Sequence, residues 1–315
     1  MSEVLQLPYF VQGEHDIKYL GQYSYLETDG LDLASQVGQR ILLAEGICVK
    51  RPDLPTATEP ESHRLVVLEP HPDDLALSAS GYVMNSIAAG GICRAINLFS
   101  RTATDRFPWQ GKVTISEDDF ESLRLQESSL AVEEFLGQQF TSLRLPLASK
   151  RGYQEIFSES HNDHELVRRV SDTLASAIVE FNADTILCPL AVQGHIDHLV
   201  TFDVGVSVKR LLGDQVELIL YEDYPYTRNK NAYNRRLQKV TDRLRLTQEY
   251  VAVDNHLNSM ANMAIIYRSQ FDDINRDQMH AIMREDLRAT ALEAKAEGVD
   301  MKDECAQRYW RVYES

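Results

Sequence analysis

The chain has 315 residues, 43% of them apolar and 25% charged, and 32 basic against 48 acidic side chains give a formal charge of −16. A field that acidic repels phosphate backbones, which sets nucleic acid aside as a partner and makes a highly anionic substrate a poor match. No apolar run approaches the roughly 18 residues of a membrane span, and Met1-Ser2-Glu3-Val4-Leu5-Gln6 has no basic segment leading into an apolar one. The reading is therefore of a cytoplasmic protein with no membrane attachment. Cys48, Cys93, Cys188 and Cys305 are scattered without zinc-knuckle or redox spacing and read as reduced, mostly buried thiols. Oligomeric state has no readable signal.

Residues 1–62 fit no regular alternation and are taken as an extension packed on the core, with a candidate strand at Ile41–Val49. From residue 63 to 315 the chain reads as one domain. Leu65-Val66-Val67-Leu68, closed by Pro70, has the continuous apolar character of a buried parallel strand. A helix over Leu75–Ala89 stops at Gly90-Gly91, and a strand at Arg94–Phe99 leads into a polar loop from Ser100 to Lys112. Ser116, with Asp119 three residues on, caps a helix that ends at Gly137. Strand Ser142–Leu145, helix Glu165–Phe181, strand Thr185–Cys188, helix His198–Leu212 and strand Val216–Tyr221 continue the pattern. The C-terminal third reads as mainly helical, with a final strand at Tyr309–Tyr313. Such alternation predicts an α/β fold, a mostly parallel sheet with helices on both faces.

Two polar motifs follow two of these strands. Pro70-His71-Pro72-Asp73-Asp74 puts a histidine and two carboxylates on one turn past the first core strand, and Gly194-His195-Ile196-Asp197-His198 follows the strand at Thr185–Cys188. Ligands of open α/β sheets bind at the carboxyl ends of strands, where both motifs lie. Taken singly, each is equally readable as a helix start, with an Asp capping the first and two solvated histidines opening the second. Taken together, they can converge, and His plus Asp plus His is a three-ligand set that leaves a position open on Zn²⁺.

These residues resemble the LmbE-like/PIG-L family, zinc hydrolases that remove acetyl groups from N-acetylated amino sugars. The family's His-Pro-Asp-Asp is matched by His71-Pro72-Asp73-Asp74, and its His-x-Asp-His by His195-Ile196-Asp197-His198. Its Arg-x-x-Glu-x-x-x-Ala helix is matched by Arg124, Glu127 and Ala131, so that the likeness runs over about residues 64–271. The chain departs where many members carry Glu after the Asp pair, with Leu75 here, and its Gly-rich stretch is thinned to Ser78-Ala79-Ser80-Gly81. The resemblance implies a Rossmann-like fold, one divalent metal ion per chain (Zn²⁺), and a small N-acetyl amino sugar or glycoconjugate as substrate. It implies His71, Asp74 and His198 as metal ligands and Asp73 as general base. His195 is then left, as an imidazolium, to stabilise an oxyanion or protonate the leaving amine.

Other residues carry weaker expectations. Asp197 either orients a histidine or is a plain helix-start acid. Phe120, Leu123, Arg124, Glu127, Leu130 and Ala131 share one helical face, where the two charges need polar partners. Arg124 is read as reaching the pocket, Glu127 as structural. Trp109 is a candidate sugar-stacking residue, Tyr221–Tyr226 a candidate pocket wall, and Tyr267-Arg268-Ser269-Gln270 a faint match to a family segment. His161-Asn162-Asp163-His164 precedes a helix rather than ending a strand and is read as a solvated decoy. Three rivals remain: an amidase on a thiol–sugar conjugate or other amide, a non-haem iron oxygenase using His195, Asp197 and His256, and a silent carbohydrate-binding protein.

Overall fold

The computed structural model describes the backbone of residues 4–11 and 17–26, and all atoms of residues 63–101, 116–271 and 274–313. Strands β1 (Val4–Val11) and β2 (Ile17–Leu26) form an antiparallel pair separate from the main sheet, where the sequence suggested no strand. The candidate strand at Ile41–Val49 and the residue Trp109 lie outside the described residues.

The main sheet begins with β3 (Arg64–Glu69), whose Leu65, Val66, Val67 and Leu68 are fully buried. The chain then steps outward through β4 (Ile92–Arg101) and β5 (Gln139–Pro146), and returns to the other side of β3 with β6 (Thr185–Pro189) and β7 (Glu217–Tyr221). These five strands are parallel. The last strand, β9 (Ala306–Tyr313), inserts antiparallel between β7 and β8 (Arg245–Ala252), giving the order β5-β4-β3-β6-β7-β9-β8. Strand β8 corrects the expectation of a mainly helical C-terminal third: Arg245–Ala252 is a half-exposed edge strand with no strong apolar run to mark it.

Alternation along the strands sends neighbouring residues to opposite faces. Leu65, Val67, Leu187 and Ile219 join one core with α1 (Ser80–Ala88), the end of α2 (Glu117–Ser129, continued by a wider coil over Leu130–Phe135), α6 (Leu257–Ala264) and α7 (Arg276–Ala296). Val66, Leu68, Ile186 and Leu218 join the other core with α3 (His164–Glu180), α4 (Ile196–Leu212) and α5 (Lys230–Thr241). The result is a three-layer α/β domain. Strand order reverses between β3 and β6, and the crevice outside their carboxyl ends is where such sheets bind ligands. Both polar motifs begin there.

Among the described cysteines, Cys93, Cys188 and Cys305 are buried free thiols, as expected; Cys48 is outside them. No helix among the described residues is long and apolar enough to cross a membrane.

Candidate metal centre

The first motif is a tight turn. Asp74 donates its N–H to the His71 carbonyl at 3.2 Å, while its Oδ2 accepts the His71 N–H at 2.8 Å. The turn is fastened to β4, because Phe99 N–H and Asn97 Nδ2 both donate to the Pro70 carbonyl, at 2.9 and 3.2 Å. Asp73 has a φ of 126°, outside the usual range of an L-residue. Such a backbone costs on the order of 1–3 kcal/mol and persists only where its surroundings over-determine it.

The second motif is equally constrained. Ala191 and Gln193 are left-handed (φ 63° and 65°), as is Gly194 (φ 74°), where an added Cβ would lie 2.1 Å from the Ser158 carbonyl oxygen. His195 is the N-cap of α4 rather than part of it, and its Nδ1 accepts the Asp197 N–H at 3.2 Å. The helix thus starts at Ile196, two residues before the expected His198.

The turns bring His71, Asp74, His195 and His198 together. One ring nitrogen from each histidine lies within 4.8 Å of the other two. Asp74 Oδ2 lies 3.5 Å from His71 Nδ1 and 3.5 Å from His198 Nε2. Four-coordinate zinc with bonds of roughly 2.0–2.1 Å separates its ligand atoms by about 3.4 Å, so these spacings suit one ion.

Hydrogen bonds at the far ring nitrogens distinguish the three histidines. His71 Nε2 donates to Asp197 at 2.9 Å, and His198 Nδ1 donates to Asp223 at 2.6 Å. Each of these rings therefore turns its other nitrogen inward, and His198 Nε2 is buried without a hydrogen-bond partner. His195 is reversed: the Nδ1 lone pair is taken by Asp197 N–H, so a neutral ring carries its proton on Nε2 and donates rather than ligates. The donor set fits a divalent cation held by His71, Asp74 and His198, with His195 beside it.

Charge in the cluster agrees. Burial, then the Asp74 carboxylate, pushes Asp73 up to about 8, against the pull of Arg124 and His198. Burial opposes charge on His198, but Asp74 and Asp223 outweigh it and raise the ring to about 9. Both shifts report a place that wants positive charge, which a proton on His198 supplies and a metal ion would replace. Burial, with His71 and His198 as neighbours, drives His195 down to about 2. A neutral donor follows, not the imidazolium expected from sequence.

The supporting residues are buried as well. Asp197, fully enclosed, accepts from His71, from Arg151 Nη1 at 2.7 Å and from Ala148 N–H at 3.3 Å. Burial alone would raise its carboxyl, but His71 and Arg151 hold it well below the carboxylate range. It orients His71, across the crevice from its own motif. Arg124 Nη2 donates to the Pro72 carbonyl at 3.0 Å and lies 3.6 Å from Asp73 Oδ1, so it reaches the Pro70–Asp74 turn. Glu127 accepts from Ser269 N–H at 2.7 Å and from its hydroxyl at 2.5 Å, fixing the segment after α6.

Sequence reading missed two supports. Asp223 was placed in a possible pocket wall, not as the partner of His198, although a carboxylate just past a third parallel strand is a usable signal. Arg151 carries none, since its three carboxylate and carbonyl partners are distant in sequence or generic in type. His161 is not solvated as expected: it is buried, with Nε2 on Asp203 at 3.0 Å and Nδ1 accepting from Asp163 N–H at 3.0 Å. With both ring nitrogens engaged, it has none left for a metal. His256 lies on a short turn over Asp254–His256, outside the cluster.

Residues 66–209 match the PIG-L family, described as GlcNAc-PI de-N-acetylase. The 2'-N-acetylparomamine deacetylase of Streptomyces fradiae is 29% identical over 219 residues, 67% of this chain and 74% of its own length. The fold is shared with the deacetylase of the antimicrobial A40926 pseudoaglycone (TM-score 0.59, 23% identity, 80% of this chain and 97% of that one). It is shared also with the zinc-inhibited form of teicoplanin deacetylase (TM-score 0.60, 21% identity, 80% and 98%). The central part of the chain is thus similar to PIG-L proteins, and its fold is that of known deacetylases.

Proposed function

We propose that this protein is a zinc-dependent N-deacetylase that hydrolyses the acetamide of a small N-acetylated amino sugar or glycoconjugate. Residues 63–315 are the catalytic unit, residues 1–62 an extension packed on it, and the enzyme works in the cytoplasm with one ion per chain. The observation that carries the reading is the partnerless Nε2 of buried His198, 3.5 Å from Asp74, while its Nδ1 is tied to Asp223. A divalent ion between His71, Asp74 and His198 would polarise the amide carbonyl and make water acidic enough to attack near neutral pH. Asp73, steadied by Arg124, takes the proton of the attacking water. His195 Nε2–H donates to the carbonyl oxygen as negative charge gathers on it. Asp73 then returns its proton to the amine as the C–N bond breaks, leaving acetate and a free amino sugar.

Supporting the substrate class are the PIG-L match and the relative that acts on 2'-N-acetylparomamine; the neutral donor at His195 suits an oxyanion better than a silent binding protein needs. The test is metal analysis of the purified protein with an amine-release assay over a panel of N-acetyl amino sugars. Near-stoichiometric zinc, lost in H198A, together with amine release is expected. Undiminished metal in H198A would remove the ligand assignment, and a zinc-loaded enzyme silent across the panel would remove the substrate class.

A further inference from the structure

Resting on the deacetylase reading, we propose that Phe157 is the platform on which the pyranose ring of the substrate lies. Phe157 is 40% exposed, yet it is not a loose loop side chain. Ser158 N–H donates to the Gly194 carbonyl at 2.8 Å and Ile196 N–H to the Ile156 carbonyl at 2.8 Å, a short antiparallel bridge pairing Phe157 with His195. The peptide is thus fastened on both sides of the aromatic residue to the motif that carries the donor histidine.

The ring is set as firmly as the backbone. It stands edge-to-face against His195 (centroids 5.3 Å apart, planes at 89°), and His195 in turn stands against His71 at 4.7 Å. Tyr226, half-buried past β7, lies 5.9 Å from Phe157 and 5.8 Å from His198. The free surface of Phe157 therefore begins one ring away from the group that meets the amide oxygen. Single exposed apolar residues are ordinary on protein surfaces. The other large ones among the described residues, Val179, Leu211, Leu292, Val299 and Tyr313, lie on or just after other elements.

Chemistry selects the occupant. Gln154, Glu155, Ser158 and Glu159, the chain neighbours of Phe157, are exposed and polar, so the ring, with half-buried Tyr226 beside it, is a small apolar patch flanked by polar residues. A long acyl chain needs continuous apolar surface. A pyranose is amphipathic: its C–H face packs on an aromatic ring while its hydroxyls stay in water, as at sites with few apolar contacts and convergent polar groups. Because the platform is pre-set, little ordering cost offsets the contact.

The experiment compares two amides, an N-acetylglucosaminide and acyclic N-acetylethanolamine, in wild type, F157A and F157W, with zinc content measured in each. In F157A we expect kcat/KM for the sugar to fall roughly ten- to a hundredfold, mainly through KM, as for loss of one buried aromatic face. The acyclic amide should change less than about twofold under the same substitution, zinc should stay full, and F157W should restore sugar turnover. Equal losses on both amides would show that Phe157 only packs His195, and no loss on the sugar would remove the platform; either overturns the proposal. Zinc-loaded wild type that fails on every N-acetyl amino sugar would instead overturn the deacetylase reading, and this one with it.

Discussion

Asp73 and Asp74 are adjacent carboxylates with different surroundings, and substitution should separate them. Asp74 faces two imidazoles, whereas Asp73 faces Arg124. D73N should retain metal and lose about two or more orders of magnitude in kcat, the span for a general base; near-normal turnover with metal bound would place the base elsewhere. The same residue makes a pH prediction for metal-free protein. Its folded value of about 8 is far above the ordinary carboxylate range, so through that window the folded state holds a proton that the unfolded chain has released. Stability contributed by the group is full at low pH and declines as pH rises from about 4 to 8. D73N should flatten that decline in a Tm-against-pH series; an unchanged slope would contradict the assignment. Asp223 acts through His198, which it holds at 2.6 Å. D223N should fold and weaken zinc affinity roughly ten- to a hundredfold in a chelator competition, the usual effect of losing a histidine's carboxylate partner. Unaltered affinity would make Asp223 merely a loop anchor for Val192 N–H.

At the scale of elements, the site depends on how α4 begins. The left-handed Gly194 lets the chain turn from β6 into the helix with the Ser158 carbonyl against its Cα. G194A meets both a disfavoured φ and a backbone atom that cannot swing aside. It should cost about 2 kcal/mol or more in urea unfolding, with kcat falling alongside as His195 moves; wild-type stability would show that the bridge to Phe157 is dispensable. Legibility follows the same local logic. Strands β3, β6 and β7 are short continuous apolar runs, and the motifs after them are contiguous residues, so both stand out in one dimension. The helix after β6 is legible only from His198 onward; the cap role of His195 depends on backbone angles that the spelling does not encode. Strand β8 escaped because an edge strand need not alternate cleanly. Arg151 and Asp223 escaped because their partners come from other crossovers of the sheet. Whether Trp109 contacts substrate lies outside the described residues.

For the whole molecule, the centre joins parts of the chain that the sheet alone holds at a distance. His71 and Asp74 follow β3, His198 opens the helix after β6, and Asp223, which supports His198, follows β7. The proposed ion, shared by these turns, would bind the folded state and find no comparable site in the unfolded chain, so it would stabilise by mass action. With free zinc at about a hundred times Kd, the gain is about 2.7 kcal/mol. For a domain of this size that is a rise of roughly 5 °C or more in Tm. Metal-free enzyme titrated with zinc should show that rise, and a chelator should reverse it. H198A should start near the metal-free wild type and not respond, whereas D73N should respond fully because Asp73 is not among the three proposed ligands. The two variants carry the discrimination. A shift that survives in H198A would mean that zinc acts at some other site, and a shift lost in D73N would move Asp73 into the coordination sphere. In that second case the base would have to be sought elsewhere, and the raised carboxyl of Asp73 would be read as a ligand awaiting its metal.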